Sequence, residues 1–355
     1  MELYAKKKVL TARLLLLIFC LLASSCSGNN VPSGGYPSEG SGGGGGSSNH
    51  AAVNPDTGKN IDLSAVAAMP PVLLKHQPKA LGEQVESSEH GEIDYSRMSD
   101  GYVMVRYTGE TTDDATDVKV LINSPNTERG RYQYNLPQDR SFYAFPLTEG
   151  SGSYVVYIYK RQQGSSFLQL LAVELDVEIE NEFMPFLISN QKIVFSSDSL
   201  SVKLAAQLTK DEPGVLHKVE AVFNYVIENI QYDVDKAMAA ADGLMQSYIP
   251  DNDMTLITKT GICFDYATLT VSMLRSLDIP TKLVFGYAST GDGSGPVYHA
   301  WISIYSPETG WVDRIIEFIS NDWTRMDPTF SAGGSDQSMA AFIGDGSNYI
   351  DDFLF

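Results

Sequence analysis

Cysteine is scarce in this 355-residue chain, with three in all, at positions 20, 26 and 263. A disulfide framework is therefore excluded for the folded part, and Cys263 is the one thiol beyond the first 26 residues. Basic charge is also in deficit: 25 Lys and Arg stand against 44 Asp and Glu, for a formal net charge of −19. Such a field repels phosphate backbones, so nucleic acid is not an expected partner. Histidine is thin, and no Cys/His grouping has zinc spacing. Asp251-Asn252-Asp253 has alternate acids but lacks the glycine and distal glutamate of a calcium loop. Neither metal nor organic cofactor is expected. The apolar run from Leu14 to Ala23 is too short to cross a bilayer as a helix. What is present is an ordinary globular content, 43% hydrophobic.

The N-terminus combines Lys6, Lys7, Lys8 and Arg13 with that apolar run and the small residues Ser24-Ser25. This reads as an export signal over residues 1–25. Cys26 directly afterwards resembles a bacterial lipobox, with Ala23 where leucine is usual. The expectation is a lipidated Cys26, contact with a membrane through that lipid, and an extracytoplasmic, bacterial membrane-anchored or secreted location. Residues 26–60 are rich in Gly, Ser, Asn and Pro, with glycines at 42 to 46, and cannot bury enough apolar surface to offset ordering entropy. They read as a tether. Residues 61–97, with Met69-Pro70-Pro71 and Gln77-Pro78, read as an irregular lead-in.

Period-two patterning then takes over. Tyr102–Tyr107, Val118–Ile122, Tyr154–Tyr159 and Leu171–Ile179 are β-branched and aromatic runs parted by turn residues, which predicts an antiparallel, sandwich-like β domain over 98–190. It holds neither cysteine nor histidine, so binding or spacing is its default role. From Ser199 the period becomes helical: Leu200, Leu204 and Leu208 share a face, and a second helix follows Pro213-Gly214.

Ala267, Val271, Leu274 and Leu277 repeat at helical spacing after Gly261-Ile262-Cys263, and Asp278-Ile279-Pro280 ends the helix. Cys263 therefore falls in a first turn, where open backbone donors and the helix dipole favour a thiolate. Gly261 is expected to leave room for a substrate carbonyl. Thr281–Tyr287 and His299–Tyr305 read as strands, the second placing His299, Trp301 and Ser303 opposite Ala300, Ile302 and Ile304. A histidine bonded to the thiol would activate it and return the proton to the leaving group, and Asp327 would orient the ring. Standing alone, a single cysteine is more often an inert small hydrophobe, and Asp265 and Tyr266 are local helix and packing residues. Trp301 and Trp323 read as core or cleft wall. Gly310–Phe318 reads as an extra hairpin before Asp327, and residues 349–355 as either a last strand closing the sheet or a frayed tail.

The ordered blocks Gly-x-Cys-x-Asp-Tyr-Ala at 261–267, Leu274-Arg275-Ser276-Leu277-x-Ile279-Pro280, His299-Ala300-Trp301 and Asp327-Pro328-Thr329 resemble the transglutaminase-like superfamily, in its bacterial secreted branch. The likeness covers about 199 to 330. It implies a papain-like α+β core over 191–355, with the cysteine helix on an antiparallel sheet. It also implies Cys263 as nucleophile, His299 as general base and acid, Asp327 as orienting carboxylate, and Tyr232 as a side-chain oxyanion donor. The activity implied is attack on a peptide or side-chain amide through a thioester, ending in hydrolysis or acyl transfer, with a protein or peptide as substrate. The competing reading is a non-enzymatic surface binding or scaffold protein carrying such a module.

Overall fold

The computed structural model describes residues 61–126, 131–245, 247–289, 296–313, 317–319, 322–324 and 349–355. After the short helix α1 (Leu63–Ala67), capped by Asp62, the chain builds a β sandwich. One sheet has the order β1 (Val85–Ser87), β2 (Gly91–Asp94), β3 (Tyr102–Tyr107), β6 (Tyr143–Pro146). The other runs β5 (Arg131–Asn135), β4 (Val118–Asn123), β7 (Gly152–Gln163), β8 (Ser166–Val177). Every pairing is antiparallel. The alternation foreseen in the sequence is the buried alternation of β4, where Val118, Val120 and Ile122 point inward. Tyr134 and Phe145 meet edge to face across the two sheets, with ring centroids 5.0 Å apart.

The segment 61–97 departs from the irregular lead-in expected of it, because it supplies α1, β1 and β2. Strands of three and four residues are too short to show a period, and pairing with β3 makes them strands.

The second half starts with α2 (Leu200–Leu208) and α3 (Val215–Asn229). The turn after α3 leads through β9 (Gln231–Tyr232) into α4 (Val234–Ala241), then α5 (Asn252–Thr258), β10 (Thr260–Gly261) and α6 (Cys263–Ser276). A four-stranded sheet follows in the order β13 (Gly310–Asp313), β12 (Pro296–Ser306), β11 (Thr281–Ser289), β16 (Tyr349–Leu354). All its pairings are antiparallel. The hairpin expected over Gly310–Phe318 is not formed as one unit. β13 pairs with β12, while β14 (Glu317–Ile319) pairs with β15 (Asp322–Thr324).

Helix α6 is the central element. Tyr266, Ala267, Leu269, Val271, Met273 and Leu274 are all essentially solvent-free, and burial of each larger apolar side chain stabilises the fold by about 1.5–3 kcal/mol. On the sheet side they join Leu283, Ala300, Ile302 and Ile304 in one apolar cluster that continues into the sandwich. Residues Ile61–Phe355 accordingly form a single compact unit.

The acids at 251 and 253, weighed as a calcium loop, serve instead as caps. Asp251 accepts from the Met254 amide at the start of α5. Asp253 accepts from the Leu200 and Ser201 amides at 2.8 and 3.0 Å, capping α2 from another element.

Candidate active site

Cys263 is the first residue of α6 and is half-buried. The residue before it, Ile262, has extended backbone and an apolar side chain, so it cannot accept from the first-turn amides as Ser or Asp would. The helical ladder begins with the Tyr266 amide donating to the Ile262 carbonyl at 3.1 Å. Only half of a capping box exists: the Asp265 carboxylate accepts from the Ile262 amide at 2.8 Å. The N–H groups at the mouth of the helix thus lack a capping side chain from Ile262, and this geometry suits an anionic oxygen.

Gly261 does not leave the space expected of it. A Cβ at that position would lie 2.6 Å from the Asp265 Cβ, so the room is taken by Asp265, not kept for a substrate. The small residue serves close packing between the strand β10 and the first turn of α6.

Asp265 is wholly buried, and its charge is answered from α4. The Lys236 ammonium lies 2.9 Å from Oδ1 and 2.8 Å from Oδ2, and the Tyr248 hydroxyl also donates to Oδ1. Lys236 further donates to the Tyr248 oxygen at 2.6 Å and stands 4.3 Å from that ring's centroid. Burial, then the bond to Asp265, raises the Tyr248 phenol well above its ordinary value, so the hydroxyl stays a donor. Its ring meets Phe264 edge to face at 6.2 Å. Lys236 and Tyr248 were not among the residues singled out in the sequence. The available signal was Asp233, which caps α4 through the Lys236 amide and so sets Lys236 in the first turn of a helix that meets Asp265.

The sheet meets the mouth of α6 through aromatic contacts. Phe264 packs edge to face on Phe285, centroids 4.9 Å apart, and Phe285 pairs with Ala300. The next rung of the ladder is Gly286 with His299. His299 is therefore carried one rung from the place where the residue after Cys263 touches the sheet. Its side chain is almost fully buried. By strand alternation it shares the face of Trp301 and Val284, whereas Ala300 and Ile302 pack towards α6. Among the described residues no hydrogen bond runs between Cys263 and His299.

Asp327 and Cys26 lie outside the described residues, as do the export segment and the tether. Tyr232 is brought close: β9 runs parallel to β10 with Tyr232 opposite Gly261, and its ring stacks on Tyr266 at 6.4 Å. Of the two roles read for Trp301, cleft wall is the one the structure corrects. The indole is 1% exposed and packs edge to face on Tyr349 at 5.0 Å, because the side-chain-free Gly286 lets it lie flat under the strand.

Residues 202–314 match the transglutaminase-like superfamily, a span that includes Cys263 and His299. The matched span holds α6 and the strands β11 and β12. The chain is 32% identical over 128 residues to the uncharacterised Bacillus subtilis protein YebA, covering 31% of this chain and 16% of that protein. It is 25% identical over 140 residues to a Pseudomonas aeruginosa protein-glutamine gamma-glutamyltransferase, covering 37% of this chain and 18% of that one. The match thus spans under a fifth of either relative. A solved structure from Cytophaga hutchinsonii, provisionally named a cysteine protease, overlaps 77% of this chain and 73% of its own at 17% identity and a TM-score of 0.35. At that score the overlap is an outline, and nothing about the site follows from it.

Proposed function

We propose that the protein is an extracytoplasmic thiol enzyme, anchored through a lipid on Cys26, that acts on peptide or side-chain amide bonds. The observation that carries this reading is the placement of Cys263, half-buried at the first position of a buried helix whose N-cap residue offers no acceptor. The superfamily domain around it supports a cysteine enzyme, and a relative named as a glutamyltransferase supports amide chemistry.

In the proposed reaction the Cys263 sulfur attacks the amide carbonyl carbon and forms a C–S bond. The developing oxyanion is met by the open amide of Cys263, with Tyr232 a second donor beside it. His299 takes the thiol proton and returns it to the departing nitrogen as the C–N bond breaks, while Asp327 orients the imidazole. Water or an amine then attacks the thioester, gives acid or new amide, and releases the thiol. This requires the His299 ring to turn to the sulfur from a position one rung beyond the Phe285–Ala300 pair, where Phe264 meets the sheet. The protein or peptide substrate is reached from a membrane surface by way of the tether.

The test is mass spectrometry of the full-length protein after incubation with a glutamine- and amide-containing peptide library, with a primary amine present. A thioester adduct on Cys263, lost in Cys263→Ser and depleted in His299→Ala, is the expected result. A parent protein that forms no adduct and changes no peptide would overturn the reading. Metabolic labelling with a fatty acid probe checks the anchor, which should disappear in Cys26→Ala.

A further inference from the structure

We infer that Asp265 is a positioning residue for the Cys263 nucleophile, with Lys236 and Tyr248 as its counter-charge and clamp. The inference rests on the thiol-enzyme reading above and goes beyond it by assigning work to three residues outside the Cys, His and Asp series.

The geometry is closed on every side. The carboxylate is wholly buried two residues after the thiol and takes the Ile262 amide, the group directly before it. Holding that amide fixes the backbone at the point where strand turns into helix, and so fixes where the Cys263 Cα and its own N–H point. A buried carboxylate needs partners or it is expelled or neutralised. Lys236 meets both oxygens, and Tyr248 adds a hydroxyl. Lys236 is itself only partly covered, and α4 buries none of its residues, so apolar packing does not explain why the helix lies here. Its Lys236 contact does. Tyr248 also presses its ring on Phe264, the residue directly after Cys263.

This arrangement has an electrostatic consequence. An unbalanced carboxylate in the first turn would oppose a neighbouring thiolate, and Lys236 cancels it. The other charged or titratable groups on the elements around this end include Asp233 and Asp235 on α4, Asp251 at the cap of α5, Tyr232 on β9, Tyr266 on α6 itself, and His299 and Tyr298 on β12, with Asp352 near Tyr298. Lys236 is the cation of this set that touches Asp265.

The experiment is iodoacetamide labelling of the full chain from about pH 5 to about pH 9, read as alkylation of the tryptic peptide Thr260–Arg275. Lys236→Met should move the labelling midpoint upward by roughly half a pH unit or more, about a threefold loss of labelling near neutrality, because the carboxylate is left uncompensated. Asp265→Asn should move it the opposite way, since Lys236 then stands alone beside the sulfur. Lys236→Arg should restore the parent profile. A merely structural role would lower the melting temperature without moving the two midpoints in opposite directions. Coincident midpoints for parent, Lys236→Met and Lys236→Arg, all folded by circular dichroism, would overturn this inference alone. A parent Cys263 that labels no faster than it does in the denatured chain would overturn both this inference and the enzyme reading.

Discussion

The side chain of Asp265 lies against the α-carbon of Gly261, closely enough that any β-carbon at 261 would sit 2.6 Å from the Asp265 Cβ. Backbone and buried carboxylate on the two sides of Cys263 are thus built as one unit.

Gly261→Ala tests that unit. The added methyl must displace either β10 or Asp265, and overpacking of this kind destabilises by about 1–3 kcal/mol. Denaturant unfolding should show the loss. Cys263 alkylation should slow in the same variant, because the Ile262 amide loses its acceptor.

Arg275 provides a second test, in the core behind the site. Its guanidinium is 2% exposed and donates to the carbonyls of Thr281, Ile188 and Phe355 at 2.9, 2.7 and 2.7 Å. It therefore ties α6 to β11, to the segment after the sandwich and to the residue following β16. Arg275→Met should lower unfolding free energy by about 3 kcal/mol, as three carbonyls lose their donor. Arg275→Lys should recover little, since one ammonium cannot span three acceptors held by a planar fork.

The cap from Asp253 predicts a smaller effect. Asp253→Ala leaves the first amides of α2 open, and loss of an N-cap typically costs about 1 kcal/mol. Calcium titration followed by tryptophan fluorescence or calorimetry should leave the parent's melting temperature unchanged, because both acids at this turn are already engaged.

Lys192 gives a pH signature. Burial, then repulsion from Lys119, pushes its ammonium down to about 8 from an ordinary value of 10.5, with the charge near the rings of Tyr134 and Phe355. Between those values the unfolded chain binds more protons than the folded one, so stability rises with pH across that window and the penalty is fully present below it. Buried Tyr134, its phenol raised by burial, acts above about pH 10 in the opposite sense, since only the unfolded chain then loses the proton. Chemical denaturation near pH 8 and near pH 10 should show a gain of about 1 kcal/mol in the parent and a smaller one in Lys192→Met, where burial still lowers Lys119.

The sequence by itself determined the elements that have a period long enough to see. Alternation marked β3, β4, β7 and β8, and the repeat Ala267, Val271, Leu274 started α6 at Cys263, because side-chain direction follows from local backbone geometry alone. It missed β1 and β2, which exist through pairing with β3, and α4, whose short apolar stripe of Val234, Ala237, Met238 and Ala241 spans only two turns and has no fully buried residue. Tertiary structure alone decided that Gly261 makes room for Asp265 and that Trp301 is core. It also decided that Lys236, far along the chain from Asp265, supplies the charge that lets a carboxylate stay buried beside the thiol. Such contacts depend on the relative placement of whole elements, which the packing of α6 against its neighbours fixes and no local pattern of residues encodes.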